Sequence, residues 1–193
     1  IAWDINRSDM PIINLPGQDL SDINFEHVNL SYSNFRGNNF TSTNITNANF
    51  TSANLAGADL SMKDLTENIL TDADLRNANL TGVDLSNNQL VNTILTGVDL
   101  TDANLSGADL STANIFGIVD GINILEKTKL KGANFTNANL TNINLIGVDI
   151  SETTLKGADL TGVKLERAKA NNANWEDVDL SFKNLSKIRL IDA

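Results

Sequence analysis

Every fifth residue of this chain is large and apolar. From Leu15 to Leu190 there are 36 positions whose number is a multiple of five, and 34 of them hold Leu, Ile, Phe or Trp. Only Asp120 and Ala170 break the rule, Ile5 and Met10 extend it backwards, and no insertion shifts the frame. Such a period fits neither regular element. On an α-helix five residues rotate by roughly 140°, so these side chains would spiral around the helix and form no face. On one continuous strand, alternate copies would point to opposite sides of the sheet. The chain must therefore turn once per repeat, so that every copy points inward.

The neighbours of each central residue say how. Two places before it stand compact residues such as Ala53, Ala58, Ala103, Ala108, Val83 and Val98, and one place before it stands Asn or Asp in most repeats. Two places after it stand 11 of the 12 glycines and seven asparagines. Gly and Asn tolerate the positive φ that the third residue of a type II turn requires. Each repeat thus reads as a short extended piece followed by a tight corner, with the central residue and the small one before it facing inward.

Runs such as Ala53-Asn54-Leu55-Ala56-Gly57-Ala58-Asp59-Leu60 and Ala103-Asn104-Leu105-Ser106-Gly107-Ala108-Asp109-Leu110 resemble the A-(D/N)-L-x-x signature of the pentapeptide-repeat family. The resemblance covers residues 13–190. It implies an all-β fold, a right-handed quadrilateral β-helix (a β-solenoid) with four pentapeptides per coil and about nine coils. At twenty residues per coil, one stack of centres runs Leu15, Phe35, Leu55, Leu75, Leu95, Ile115, Phe135, and a second runs Leu20, Phe40, Leu60, Leu80, Leu100, Asp120, Leu140. The residues before the second stack read Asp19, Asn39, Asp59, Asn79, Asp99, Val119, Asn139, Asp159, Asp179: a ladder in which carboxylates at first alternate with amides.

Residues 116–126 interrupt the pattern. Asp120 would bury a carboxylate in the second stack, which is costly without a partner. Gly121 is the one glycine outside a corner position. A loop, bulge or distorted coil is expected here; if ten residues leave the coil, the later stacks move to different faces. Residues 1–12, with Trp3 and Pro11, are expected to cap the first coil, leaving 13–193 as the repeat domain. Lys63 and Lys183 occupy inward positions meant for small residues and should be locally irregular. An uncapped last coil would suit end-to-end homodimerisation.

The formal charge is −10. Duplex-binding proteins neutralise phosphates with Lys and Arg, so direct nucleic-acid binding is not expected. The charge is uneven: residues 1–125 carry four basic and 15 acidic side chains, residues 126–193 ten and nine. No apolar run approaches the ~20 residues of a membrane-spanning helix, and no membrane partner is expected. With no cysteine and His27 as the sole histidine, the chain offers no disulfide, no thiolate nucleophile and no histidine-based metal cluster. No cofactor, metal or catalytic residue is assigned.

A non-catalytic protein-interaction or structural scaffold is the expected role. Candidate contacts are Asp19, Asp59 and Asp99 on the acidic ladder and Phe116 and Asp120 in the interrupted segment, with exposed Tyr32, Met62 and Phe182 beside them. The alternative comes from the resemblance: some pentapeptide-repeat proteins mimic DNA in shape and charge and bind type II topoisomerases, protecting DNA gyrase from quinolones or inhibiting it. The resemblance makes the bacterial cytoplasm the expected compartment and leaves secreted, periplasmic and lumenal settings open.

Overall fold

The computed structural model describes residues 12–115, 118–119, 122–123 and 128–191, with 118–119 and 122–123 described by their backbone alone. The chain coils upon itself with a pitch of twenty residues. Single-residue parallel bridges join Asn14 to Asn34, Asn34 to Asn54, Asn54 to Asp74, and so on around all four sides.

One repeat shows why this sequence forms a coil. The N–H of Leu55 donates to Asp74 O of the next coil (2.8 Å), and that of Gly57 donates to Arg76 O (2.7 Å). Ala58 N–H closes the corner onto Leu55 O (3.0 Å), and Asp59 N–H reaches back to Asn38 O (2.9 Å). The fifth amide, of Ala56, has no carbonyl within the ladder and donates to Oδ1 of Asn54 (3.1 Å). All five donors of the repeat are satisfied, as a half-buried backbone requires. The Asn or Asp before each centre is therefore a backbone partner, the acceptor of an Asx turn. The same bond recurs from Ser21 to Asp19, Ser61 to Asp59, Thr101 to Asp99 and Ser151 to Asp149. Coil-to-coil amide contacts do occur, as from Asn79 to Asp59 (3.1 Å), but less regularly.

The corners take positive φ at the second residue after the centre, as at Gly57 (69°) and Asn87 (58°). Tyr32 (61°), Met62 (58°) and Phe182 (59°) adopt it too, although it costs a non-glycine residue roughly 1–2 kcal/mol.

Inside, the centres stack in four dry columns. Leu55, Leu60, Leu65, Leu75, Leu80 and Leu100 have no solvent exposure. Near the N-terminal end Phe35 lies edge-on to Phe25, Phe40 and Phe50, with ring centroids 5.6, 5.6 and 6.2 Å apart.

The frame is interrupted once. Bridges step by twenty residues as far as Ile94–Asn114, then by thirty at Asp99–Lys129, Asn104–Asn134 and Asp109–Asn139, and by twenty again from Asn134–Thr154. Between Ile115 and Thr128 the chain thus has ten residues more than the coil takes up. In this stretch strand β1 (Ile118–Val119) pairs antiparallel with β2 (Ile122–Asn123), Val119 opposite Ile122.

This step corrects the expected stacks. Leu130, not Asp120, follows Leu100 in the second stack, so no carboxylate enters it; Ile150, Ala170 and Leu190 come after. Phe135, Leu155 and Trp175 belong beneath Leu105, two faces from the stack in which an uninterrupted pitch puts them. Lys63 and Lys183 bring the local irregularity expected of them, for the ladder lacks the Asn44–Asp64 and Lys164–Asn184 bridges that the pitch calls for. Both repeats keep the regular corner bond (3.2 Å each), and the ammonium groups turn to backbone carbonyls, Lys63 to Thr43 O (2.9 Å) and Lys183 to Leu160 O (2.6 Å). A long stem with a terminal donor fits a position meant for a small residue by passing alongside the core. The cap expected over residues 1–12 lies outside the described residues apart from Ile12, which is exposed.

Candidate functional site

The rod is convex, and its candidate binding features are its faces. The second face carries the residues flanking the stack from Leu20 to Leu190. Over the first five coils its leading column reads Asp19, Asn39, Asp59, Asn79, Asp99, as the sequence predicts. It then continues as Lys129, Asp149, Lys169, Arg189 and not as Val119, Asn139, Asp159, Asp179. Those later carboxylates stand on the opposite side of the rod, where Asn139 and Asp159 follow Asp109.

The second face consequently changes sign along its length. With its flanking corners it carries Asp19, Asp22, Asp59, Asp99 and Asp102 over the first five coils, against Arg36 and Arg76 at the corners leading into it. Beyond Asp99 it carries Lys129, Lys131, Arg167, Lys169, Lys187 and Arg189 against Asp149, Glu152 and Glu166. The two halves meet at an ion pair between Lys129 Nζ and Asp99 Oδ2 (2.6 Å), and the basic half contains two more, Lys169–Asp149 (3.3 Å) and Lys131–Glu152 (3.2 Å). Exposed pairs of this kind contribute under ~1 kcal/mol each, so they orient side chains more than they stabilise the coil.

The Asx turns keep the acidic half ionised. At Asp19 the backbone N–H of Ser21, then its hydroxyl, holds the carboxyl below the usual carboxylate range. At Asp59 partial burial pushes upward, but the Ser61 hydroxyl and N–H and the Asn79 amide outweigh it. Asp99 is lowered likewise, its burial outweighed by Lys129 and Thr101.

Of the five candidate contact residues, Asp19, Asp59 and Asp99 thus share one column, while Phe116 and Asp120 lie outside the described residues. Among the exposed apolar candidates, Tyr32, Met62 and Phe182 stand at corners with 64%, 77% and 107% exposure. Met62 folds over the neighbouring corner, where a Cβ on Gly82 would lie 2.6 Å from its sulfur. Two open grooves accompany these features. One of about 490 Å³ runs beside Phe182, Lys164 and Lys183, and one of about 350 Å³ lies where the ten-residue excursion leaves the rod, between Ala113, Asn114 and Asn144. His27 is a solvated corner residue, 3.9 Å from Glu26. Among the described residues no three His, Cys, Asp or Glu side chains are grouped to hold a metal ion.

Sequence reasoning missed the cationic half of the second face and the hairpin. A signal for the hairpin was present: Asp120-Gly121 is the dipeptide that favours two-residue hairpin turns, and it separates the paired strands.

A single-chain coil of four short sides, with Asx turns at most of its corners, defines a quadrilateral β-solenoid. The family profile described as "Pentapeptide repeats" matches eight copies over residues 19–55, 48–87, 78–115, 128–167 and 158–193, and the chain belongs to the pentapeptide-repeat family. The coil is the family's right-handed quadrilateral β-helix. Full-length QnrB1, a plasmid-mediated fluoroquinolone resistance protein, shares the fold with a TM-score of 0.52 at 16% identity, over 93% of this chain and 91% of its own. HetL, a pentapeptide repeat protein involved in heterocyst differentiation regulation in the cyanobacterium Nostoc, is 25% identical over 94% of this chain and 86% of its own, with a TM-score of 0.44. No curated protein matches the chain.

Proposed function

We propose that this protein is a non-catalytic binding rod for another protein, with the excursion at residues 116–125 as its docking element. The observation that carries the reading is the step of the bridges from twenty to thirty residues at Asp99–Lys129. The bridges on either side keep the five-residue frame, so the coil takes up ten residues fewer than the chain has between Ile115 and Thr128. Segments of this kind, held on a rigid scaffold but dispensable to it, are where binding function concentrates. Six of residues 116–125 are apolar, Phe116, Ile118, Val119, Ile122, Ile124 and Leu125, a density that suits a contact surface. Among the described residues the convex faces carry no cleft lined by convergent titratable groups, which supports a role without catalysis. The test is affinity capture from the source cell with the intact chain and with residues 116–125 removed. Partners retained by the shortened rod would overturn the assignment of the docking element; partners lost with it would support it.

A second reading has one observation in its favour. Asp19, Asp59 and Asp99 recur every second coil, roughly 10 Å apart, with their carboxylates held ionised by Asx turns. Such an anionic track suits a DNA mimic directed at a type II topoisomerase, although Lys129 ends it at the fifth coil. A gyrase supercoiling and quinolone-protection assay tests it; no effect at micromolar protein would remove it.

A further inference from the structure

The second face is self-complementary. Over eight coils its leading column reads Asp19, Asn39, Asp59, Asn79, Asp99, Lys129, Asp149, Lys169. Two copies of a rod laid face to face and antiparallel are related by a two-fold axis across the rods, so this column meets itself in reverse. Asp19 then opposes Lys169 of the second copy, Asp59 opposes Lys129, Asn39 opposes Asp149, and Asn79 opposes Asp99. No position meets its own sign. A slide by a single coil destroys the match, because Asp59 would face Asp149 and Asp99 would face its own copy.

The neighbouring columns agree. In the same register the exposed Met62 side chain stands opposite Gly132, the corner position with least side-chain bulk. Arg167 stands opposite the open corner of Gly17, which has no atom within 4 Å of a Cβ built there, and so has room to reach Asp19. Ser21, Thr41, Ser61 and Thr81 meet Asn171, Ser151, Lys131 and Thr101 without a like-charge pair. Each of the opposing carboxylates also accepts a backbone N–H of its own chain.

We infer that the second face is an interface for a second copy of this chain, giving an antiparallel dimer in which the acidic half of each rod covers the basic half of the other. Such an interface is isologous and closes on itself. Complementary charge excludes a one-coil slide in either direction. It differs from an end-to-end dimer, which leaves the second face free.

Charge reversal tests it. The wild-type chain at physiological ionic strength is expected to sediment with twice its 20.8 kDa mass. Asp19→Lys with Asp59→Lys makes both halves basic, Lys129→Glu with Lys169→Glu makes both acidic, and each variant alone is expected at the monomer mass. An equimolar mixture of the two restores opposite signs along the whole face and is expected to return to the dimer mass. In a second measurement, Asn39→Cys with Asp149→Cys in this cysteine-free chain is expected to give a covalent dimer on oxidation. The two positions oppose each other only between copies; within a chain they lie about five coils apart, roughly 24 Å. A monomeric wild type, a dimer that survives either double reversal, or cysteines that fail to link the chains would each overturn the inference.

Discussion

The Lys129 ammonium lies 2.6 Å from the Asp99 carboxylate, one coil further along the rod and thirty residues further along the chain. Every other inter-coil bridge outside this turn of the solenoid spans twenty. This one pair therefore marks where ten residues leave the coil, and it is also where the second face changes sign.

The excursion should be removable. Deleting residues 116–125 joins Ile115 to Glu126 and brings Thr128 and Leu130 two repeats closer in the chain without moving them in the coil. The shortened protein is expected to keep its circular dichroism spectrum, with a melting temperature within a few degrees of the parent. Deleting residues 116–126 instead displaces every later centre by one position, and that variant is expected to lose its C-terminal coils.

The phenylalanine cluster should be the stiffest part of the core. Phe35 is fully buried and meets Phe25, Phe40 and Phe50 edge-on. Phe35→Ala removes the ring at the centre of this cluster and leaves a cavity between rigid coils, at an expected cost of about 3–5 kcal/mol in urea unfolding. Little loss there would mean that the coils can collapse around a gap.

Corner geometry predicts a smaller, separate effect. Gly57 has φ of 69° and open space where a Cβ would stand, so Gly57→Ala meets no clash and carries only the backbone penalty, about 1–2 kcal/mol. Phe182→Gly should act in the opposite sense, since an exposed phenylalanine at φ 59° carries that penalty already. Chemical denaturation of the two variants checks both signs.

Acid should loosen the coil. The carboxyls of Asp59, Asp99 and Asp149 lie below their ordinary range: burial opposes ionisation in each, and hydrogen bonds from Ser61, Thr101 and Ser151 outweigh it, joined by Lys129 at Asp99 and Lys169 at Asp149. A depressed folded-state pKa contributes stability that is fully present above the unfolded value of about 3.9 and is lost as pH falls through the folded one. The melting temperature is therefore expected to hold as pH is lowered to about 5 and to fall below about 4. Asp59→Asn keeps the Oδ1 acceptor without the charge and should flatten part of that fall.

The sequence determines the coil. A large apolar residue every fifth position, Ala or Val two before it and Gly or Asn two after it allow one solution, in which the chain turns once per repeat around a dry interior. The burial of Leu60, Leu80 and Leu100 follows from that period alone. The role of Asn54 and its counterparts was less legible, because a polar residue before each centre reads equally as a surface ladder or as the acceptor of a missing amide bond; only the position of Ala56 N–H distinguishes them. What the tertiary structure alone decides is which residues share a face beyond Ile115. Ten residues are two whole repeats, so their departure leaves the five-residue frame intact and invisible to periodicity, yet it rotates every later side chain by two faces. The placement of Lys129 beside Asp99, and with it the opposed charges of the second face, comes from that rotation, since proximity between coils depends on how many residues the coil takes up and not on how many the chain contains.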